Sequence, residues 1–354
     1  MKRYVGIDLG KKTLKAVALT DAEKPDWFKG TTHAEQLEKL RQWVRPGDLV
    51  ALEAGNLAFR LAKFLMQKEN INVIVLNPGE LATIYASLKK TDKEDALKIA
   101  RLVQRIPVTE LPTVTIPSDL EMERRALATE SELYLKSRTK LINRFHALLH
   151  NGGVSDVSRT DLQNQSKRDT LALKLPVACQ SEAKRLCKTL EQLEKSTEEI
   201  DNEMRKHLHA EKSYTQLAMS VPGIGEKATF TLLAFVGDGK RFKHAGQVSY
   251  YAGMTPTVNI SGQKSHYGRI AKRGCRQIKR VITQCAWGLI GSTHGGPIKT
   301  FYDRVMPRIG KKKAAVAVGR KILEVFFTML RTGELYRGIP EKYYRAKLVR
   351  YGLI

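Results

Sequence analysis

Tyr4-Val5-Gly6-Ile7-Asp8-Leu9-Gly10 is a short apolar run that closes on an acid and a glycine turn. Such a run reads as a buried strand with a polar side chain at its end. Leu14 to Thr20 reads as its hairpin partner. The design recurs at Leu49-Val50-Ala51-Leu52-Glu53, followed by an amphipathic helix over about Leu57 to Gln67, and Ile71 to Leu76 is a further strand closed by Asn77-Pro78. Strands alternating with helices predict an α/β domain whose functional side chains sit where strands end.

Lys90-Thr91-Asp92-Lys93-Glu94-Asp95-Ala96 leads into Leu97, Ile99, Ala100, Leu102 and Val103. This predicts a helix with acids in its first turn, where the helix dipole favours them. Pro107, Pro112 and Pro117 then break the chain, so a first domain is expected over residues 1–117. Residues 118–210 read as two charged helices, Asp119 to about His150 and about Leu171 to His209, around a polar loop at Gly152-Gly153. Leu186, Leu190, Leu193, Thr197, Ile200 and Met204 alternate spacings of four and three, the seam of a coiled coil. An antiparallel hairpin used for dimerisation fits them. Residues 211–354 form the third expected domain, mainly helical, opening with Val221-Pro222-Gly223-Ile224-Gly225-Glu226-Lys227 and the apolar helix Ala228 to Val236.

The chain has 354 residues, which suits two or three domains. Its 61 Lys and Arg against 36 Asp and Glu leave a formal charge of +25, so a polyanionic partner is expected. Residues 262–321 carry fifteen basic residues and one acid, Asp303, and are the best candidate for a phosphate-facing surface. A membrane partner would need a basic amphipathic helix with an aromatic face or an apolar span of about 20 residues; the sequence offers neither. Met1-Lys2-Arg3-Tyr4 runs into a strand without a signal core, so a cytoplasmic, nucleoid-associated protein is expected. Cys179, Cys187, Cys275 and Cys285 match neither a zinc knuckle nor a disulfide framework and read as reduced packing residues.

Taken singly, Asp8 can stabilise a turn, and Asp92 and Asp95 can cap a helix. Together with Glu53 they are harder to dismiss, because strand ends do not bury lone carboxylates cheaply and Asp92 and Asp95 share one helix face. Clustered carboxylates need cations, and oxygen-only ligands select Mg²⁺ or Mn²⁺, which can clamp the attacking and leaving oxygens of a phosphodiester. Gly223 and Gly225 have the spacing of a helix-hairpin-helix turn whose free amides face a phosphate, with Lys227 beside them; an ordinary glycine-rich turn has the same spacing. Tyr250 to Gly262 reads as an exposed turn ahead of the basic stretch, and its Ser261 is either a solvent-facing hydroxyl or a nucleophile. Lys264, Arg269, Lys272, Arg273, Arg276 and Lys279 are the candidate phosphate contacts just downstream.

The ordered set Gly6-Ile7-Asp8, Glu53, Asn77-Pro78, Lys90-Thr91-Asp92 with Asp95-Ala96, Pro222-Gly223-Ile224-Gly225, Ala252-Gly253-Met254-Thr255-Pro256, Ser261-Gly262 and Lys272-Arg273-Gly274 resembles one family over nearly the whole chain. That family is the DEDD transposases of insertion sequences, relatives of the Piv-type DNA invertases, understood as bridge-RNA-guided recombinases. The resemblance implies an RNase-H-like, RuvC-type catalytic domain, a coiled coil and a C-terminal transposase domain. It implies that Asp8, Glu53, Asp92 and Asp95 bind Mg²⁺ and that Ser261 attacks DNA to form a covalent phosphoserine. It further implies a structured bridge RNA pairing with donor and target DNA, and a dimer or tetramer with composite active sites. Glu53-Ala54-Gly55-Asn56 departs from the family's usual Glu-Ala-Thr-Gly, which leaves the ligand in place and the local loop in question. The competing readings are a RuvC-like nuclease that uses water and a non-catalytic architectural nucleic-acid-binding protein.

Overall fold

Side chains along β1 (Tyr4–Leu9) alternate between two apolar layers, with Val5 and Ile7 in one and Tyr4 at the edge of the other. In the computed structural model, which describes all residues except 1, 22, 85–91, 262–263 and 271–272, and not the side chains of 82–84, 92, 258–261 and 264–267, contacts divide the chain into two compact units. These are Met1–Ser118 and Asp119–Ile354.

The first unit continues with β2 (Thr13–Leu19), β3 (Asp26–Thr31), α1 (Ala34–Trp43), β4 (Leu49–Glu53), α2 (Ala58–Met66), β5 (Asn72–Leu76), α3 (Pro78–Ile84), α4 (Asp92–Arg105) and β6 (Thr113–Val114). One mixed sheet holds them in the order β3-β2-β1-β4-β5-β6, with β1, β4 and β5 parallel and the other pairings antiparallel. Helices α1 and α2 cover one face through Leu40, Val44, Leu61 and Leu65. Helix α4 covers the opposite face through Ala96, Ile99, Ala100, Leu102 and Val103. Burial on both faces explains why β1 and β4 read as continuous apolar runs rather than alternating ones.

Helix α4 lies unusually close to β1. A methyl group at Gly6 would overlap the carbonyl oxygen of Ala96 and the amide nitrogen of Ala100, so the strand needs a glycine where the two small alanines of the helix cross it. The direction of α4 follows from its other end, where Gln104 donates to Asp21 at 3.0 Å. Asp21 follows β2, whose Leu19 pairs with Tyr4. The last turn of α4 therefore lies at the Tyr4 end of β1, and its first turn lies toward Asp8.

The second unit comprises α5 (Asp119–Asn151), α6 (Gln165–Leu173), α7 (Val177–Ala210), α8 (Lys212–Met219), α9 (Glu226–Phe235), α10 (Ala245–Tyr251), β7 (Pro256–Ser261), β8 (Lys264–Ile270), α11 (Arg276–Gly291), α12 (Gly296–Ile309), α13 (Lys311–Thr332) and α14 (Glu341–Arg350). Helices α5 and α7 pair antiparallel: Ile142 and Phe145 pack with Ala183, Cys187 and Leu190, while Leu127 and Ala128 join Ile200, Met204 and Leu208. The buried line on α7 includes Ala183 and Cys187, whereas Leu186 and Leu193 of the expected seam are only half-buried. The reason is α6, which packs into the same groove through Ala172. Arg168 of α6 is fully buried and donates to both oxygens of Glu194 at 3.0 and 2.7 Å, and Arg138 of α5 donates to the same carboxylate at 2.9 and 2.8 Å. That shared carboxylate ties the three helices together.

The stretch expected as an exposed turn before Ser261 is instead strand β7, paired antiparallel with β8 in a two-stranded ribbon. The four cysteines are unpaired, with Cys187 and Cys285 buried. No helix among the described residues is long and apolar enough to cross a membrane.

If the contact between α4 and Gly6 sets the register of the first unit, Gly6→Ala should destabilise it by about 3 kcal/mol, the upper end of typical overpacking costs. Denaturant unfolding checks this, and an unchanged midpoint would show that the helix can move aside.

Candidate active site and nucleic-acid surface

The parallel register aligns Tyr4 with Leu49 and Ile7 with Leu52, so Asp8 and Glu53 are the next aligned positions, at the C-terminal ends of neighbouring strands. Both belong to the face that α4 covers: Gly6 precedes Asp8 by two residues against Ala96, and Leu49 and Ala51 precede Glu53 in the cluster with Ile99 and Leu102. Successive odd or even positions of a strand share a face, so the two carboxylates leave the sheet on the same side. On the neighbouring antiparallel strand the register partner of Asp8 is Lys15. Asp8 is half-buried and Glu53 is exposed. The burial cost expected at both strand ends thus applies only to Asp8.

Asp92 is the first residue of α4, one turn ahead of Ala96; its side chain lies outside the described residues. Asp95 is half-buried, and one of its oxygens accepts from Lys98 at 2.8 Å. Among the described residues no three His, Cys, Asp or Glu side chains group as a cation site. Asp8 and Glu53 stand at the C-terminal ends of the two central strands, on the face covered by the helix that begins with Asp92. The donor chemistry is all oxygen, which fits a hard divalent cation.

Asp48 shows what a structural acid in the same sheet looks like. It lies at the other end of β4, buried, with Arg3 at 3.6 Å and the backbone amide of Arg45 donating at 2.9 Å. Burial pushes its carboxyl above the ordinary value, against the pull of those partners. At the expected departure from the family pattern, a Cβ on Gly55 would meet nothing within 4 Å, so the loop after Glu53 does not require glycine there for space.

Ser261 is the last residue of β7, and its register partner is Lys264 at the start of β8. The side chains of Ser261 and Lys264, and all of Lys272, lie outside the described residues. The base of the ribbon is tightly built. A methyl group on Gly253 would overlap the carbonyl oxygen of Arg273, and one on Gly274 would overlap the backbone of Gly253. Both glycines have positive φ, 65° and 98°. Thr257 donates to the carbonyl of Arg269 at 3.2 Å, and Lys279 donates to that of Arg273 at 3.2 Å. Arg269, Arg273 and Arg276 are exposed, whereas Lys279 is half-buried against this turn.

The Val221–Gly225 turn joins α8 to α9. Gly223 has a φ of 83°, and a methyl group on it would overlap the carbonyl of Cys285 on α11. Close packing therefore already requires glycine at this position. Lys227 is held by Asp201 at 3.0 Å, and Glu226 is held by Arg205 at 3.0 Å. Sequence reasoning missed the helix that faces this turn: Tyr343, Lys347 and Arg350 of α14, with Tyr351, line a cavity of about 330 Å³ against Gly223 and Gly225. Their spacing of four and three along one helix face was the available signal.

Residues 5–152 match the model of a family described as Transposase, DEDD_Tnp_IS110, and residues 215–303 match the Transposase IS116/IS110/IS902 family. The chain is 24% identical over 348 residues to a transposase for insertion sequence element IS1111A of Coxiella burnetii, covering 95% of this chain and 91% of that protein. It is 25% identical over 344 residues to a pilin gene-inverting protein of Moraxella lacunata, covering 93% and 96%. An uncharacterized 43.6 kDa protein of insertion element IS110 from Streptomyces coelicolor is 35% identical over 119 residues, 33% of this chain and 29% of that one. The chain thus carries, in order, the two transposase domains of the IS110/IS116/IS902 family.

Proposed function

We propose that this chain is the recombinase of a mobile element, cutting and rejoining DNA with a carboxylate-held divalent cation and a serine nucleophile. The observation that supports it most is the alignment of Asp8 and Glu53 at neighbouring parallel strand ends, on the face covered by the helix that opens with Asp92. The order of the sheet, with an antiparallel β3-β2-β1 edge continued by parallel β4 and β5, is consistent with an RNase-H-like, RuvC-type domain. The relatives named as a transposase and as a pilin gene-inverting protein support DNA cutting and joining as the activity.

In this reading Asp8, Glu53, Asp92 and Asp95 hold Mg²⁺ or Mn²⁺, which when bound supplies charge stabilisation at the scissile phosphate. The hydroxyl oxygen of Ser261 attacks phosphorus as the bond to a deoxyribose oxygen breaks, and that oxygen leaves with a proton. The resulting phosphoserine keeps the phosphodiester energy, so a deoxyribose hydroxyl of the joining strand can displace the serine without ATP. Arg269, Arg273 and Arg276 stand beside the base of the ribbon as cations for the phosphate backbone. A bridge RNA and an oligomer in which one protomer's Ser261 meets another's carboxylates complete the proposal.

Asp8→Asn should lower Mg²⁺-dependent strand cleavage by more than about a hundredfold, beyond the loss usual for an outer-shell partner of a metal. Chelation of divalent cations should do the same to the wild type. Full cleavage by the variant would remove Asp8 from the site.

Denaturing gels of the wild type on a nicked element end should show a protein–DNA adduct, and peptide mapping should place the nucleotide on Ser261. Ser261→Ala should bind DNA and leave no adduct. Cleavage without any adduct in the wild type would favour a nuclease that uses water; an adduct on Ser265 or Tyr250 would move the nucleophile.

A further inference from the structure

The turn between α8 and α9 has the glycine spacing of a phosphate-binding hairpin, yet its own flank carries no spare positive charge. Lys227 is paired with Asp201, and Arg205 with Glu226. The uncommitted charge stands across the cavity on α14. Tyr343, Lys347 and Arg350 share one face of that helix and line the cavity with Ala346 and Tyr351, opposite Gly223 and Gly225. The hydroxyl of Tyr351 would lie 3.5 Å from a Cβ on Gly225. Lys347 donates to the carbonyl oxygens of Met219 at 2.6 Å and Val221 at 3.3 Å. It fixes α14 against the turn and brings a cation beneath it.

Arg350 is exposed and has no carboxylate partner among the described residues; its guanidinium lies 6.0 Å from the ring of Tyr351. Tyr343 is 39% exposed and leans on His294 with ring centroids 5.0 Å apart. Along α14 there are four cations, Lys342, Arg345, Lys347 and Arg350, and one acid, Glu341. A groove with exposed backbone at Gly223, unpaired guanidinium charge, the exposed ring of Tyr343 and the half-buried ring of Tyr351 matches a polyanion with sugar and base edges. It offers no carboxylate for a basic protein partner.

We infer that the cavity between the Val221–Gly225 turn and α14 is a docking site for the phosphodiester backbone of duplex DNA, with Arg350 as its principal cation and Tyr343 and Tyr351 flanking the strand. The inference rests on the reading of this chain as a DNA recombinase and adds a DNA contact that uses neither the carboxylates nor Ser261.

The test is fluorescence anisotropy of the full chain with a short labelled duplex, over a salt series and without divalent cation, so that cleavage chemistry plays no part. Arg350→Gln should lower the slope of log affinity against log salt by about 0.9 and weaken binding about five- to tenfold near 0.1 M salt, as expected for one lost phosphate contact. Arg345→Gln, on the same helix but outside the cavity, should change both by less. Thermal unfolding of both variants should match the wild type, since both side chains are exposed. An unchanged slope for Arg350→Gln, or equal losses in the two variants, would overturn the site, as would a loss confined to a parallel series with an RNA hairpin. Absence of duplex binding by the wild type, both alone and with the element's structured RNA, would instead reject the recombinase reading on which the site rests.

Discussion

The approach of α4 to Gly6 governs the first unit. With only a hydrogen on that Cα, the helix backbone comes within reach of the strand, and Ala96 and Ala100 present no bulk to hold it off. A larger residue at any of the three positions would lift the helix from the sheet. Its first turn, where Asp92 and Asp95 lie, would then move relative to Asp8 and Glu53. The closeness of this packing thus translates directly into the separation of acids that lie far apart in sequence. Arg3 and Asp48, at the other end of the sheet, are buried and paired with each other, so the acid at that end closes the fold, whereas Asp8 and Glu53 are the acids proposed to hold a cation.

Glycine plays a comparable part in the second unit. Gly253 and Gly274 meet where the β7–β8 ribbon leaves the helices, and Gly223 meets the backbone of α11 beside Gly288. At each crossing two backbones approach more closely than any side chain would allow. Among the described residues the ribbon pairs only with itself as a sheet, so its direction depends on its base. That base is held by the glycine contact and by the hydrogen bonds from Thr257 and Lys279.

Much of the first unit was legible because its strands are covered on both faces and its helices are amphipathic, which leaves continuous apolar runs and a helical period in the sequence. Asp8 and Glu53 stood out as acids closing such runs. The ribbon was not legible: Pro256 and Gly262 bracket β7 as if it were a turn, and its partner, from Lys264 to Ile270, carries His, Gly and Arg without an apolar alternation. β7 itself does alternate, with β-branched Val258 and Ile260 between polar neighbours, a strand signal that the flanking proline and glycine obscured. Of the expected coiled-coil seam Leu190, Ile200 and Met204 are buried, while Leu186, Leu193 and Thr197 are only half-buried and Ala183 and Cys187 join the buried line, where small residues admit α6 as a third helix. Lys227 looked like a phosphate contact until the fold brought Asp201 to it. Such neutralisation depends on partners that only tertiary structure brings near.

If the strand ends under α4 form a divalent-cation site, binding is a more direct probe of it than catalysis. A titration of Mn²⁺ into the full chain, followed by electron paramagnetic resonance, can compare the wild type with an Asp8→Asn, Glu53→Gln double variant whose fold is verified by circular dichroism. With such a site the wild type removes Mn²⁺ from the free signal and the folded double variant does not. Equal binding by the two proteins would contradict it, and would place any cation this recombinase uses somewhere other than beneath α4.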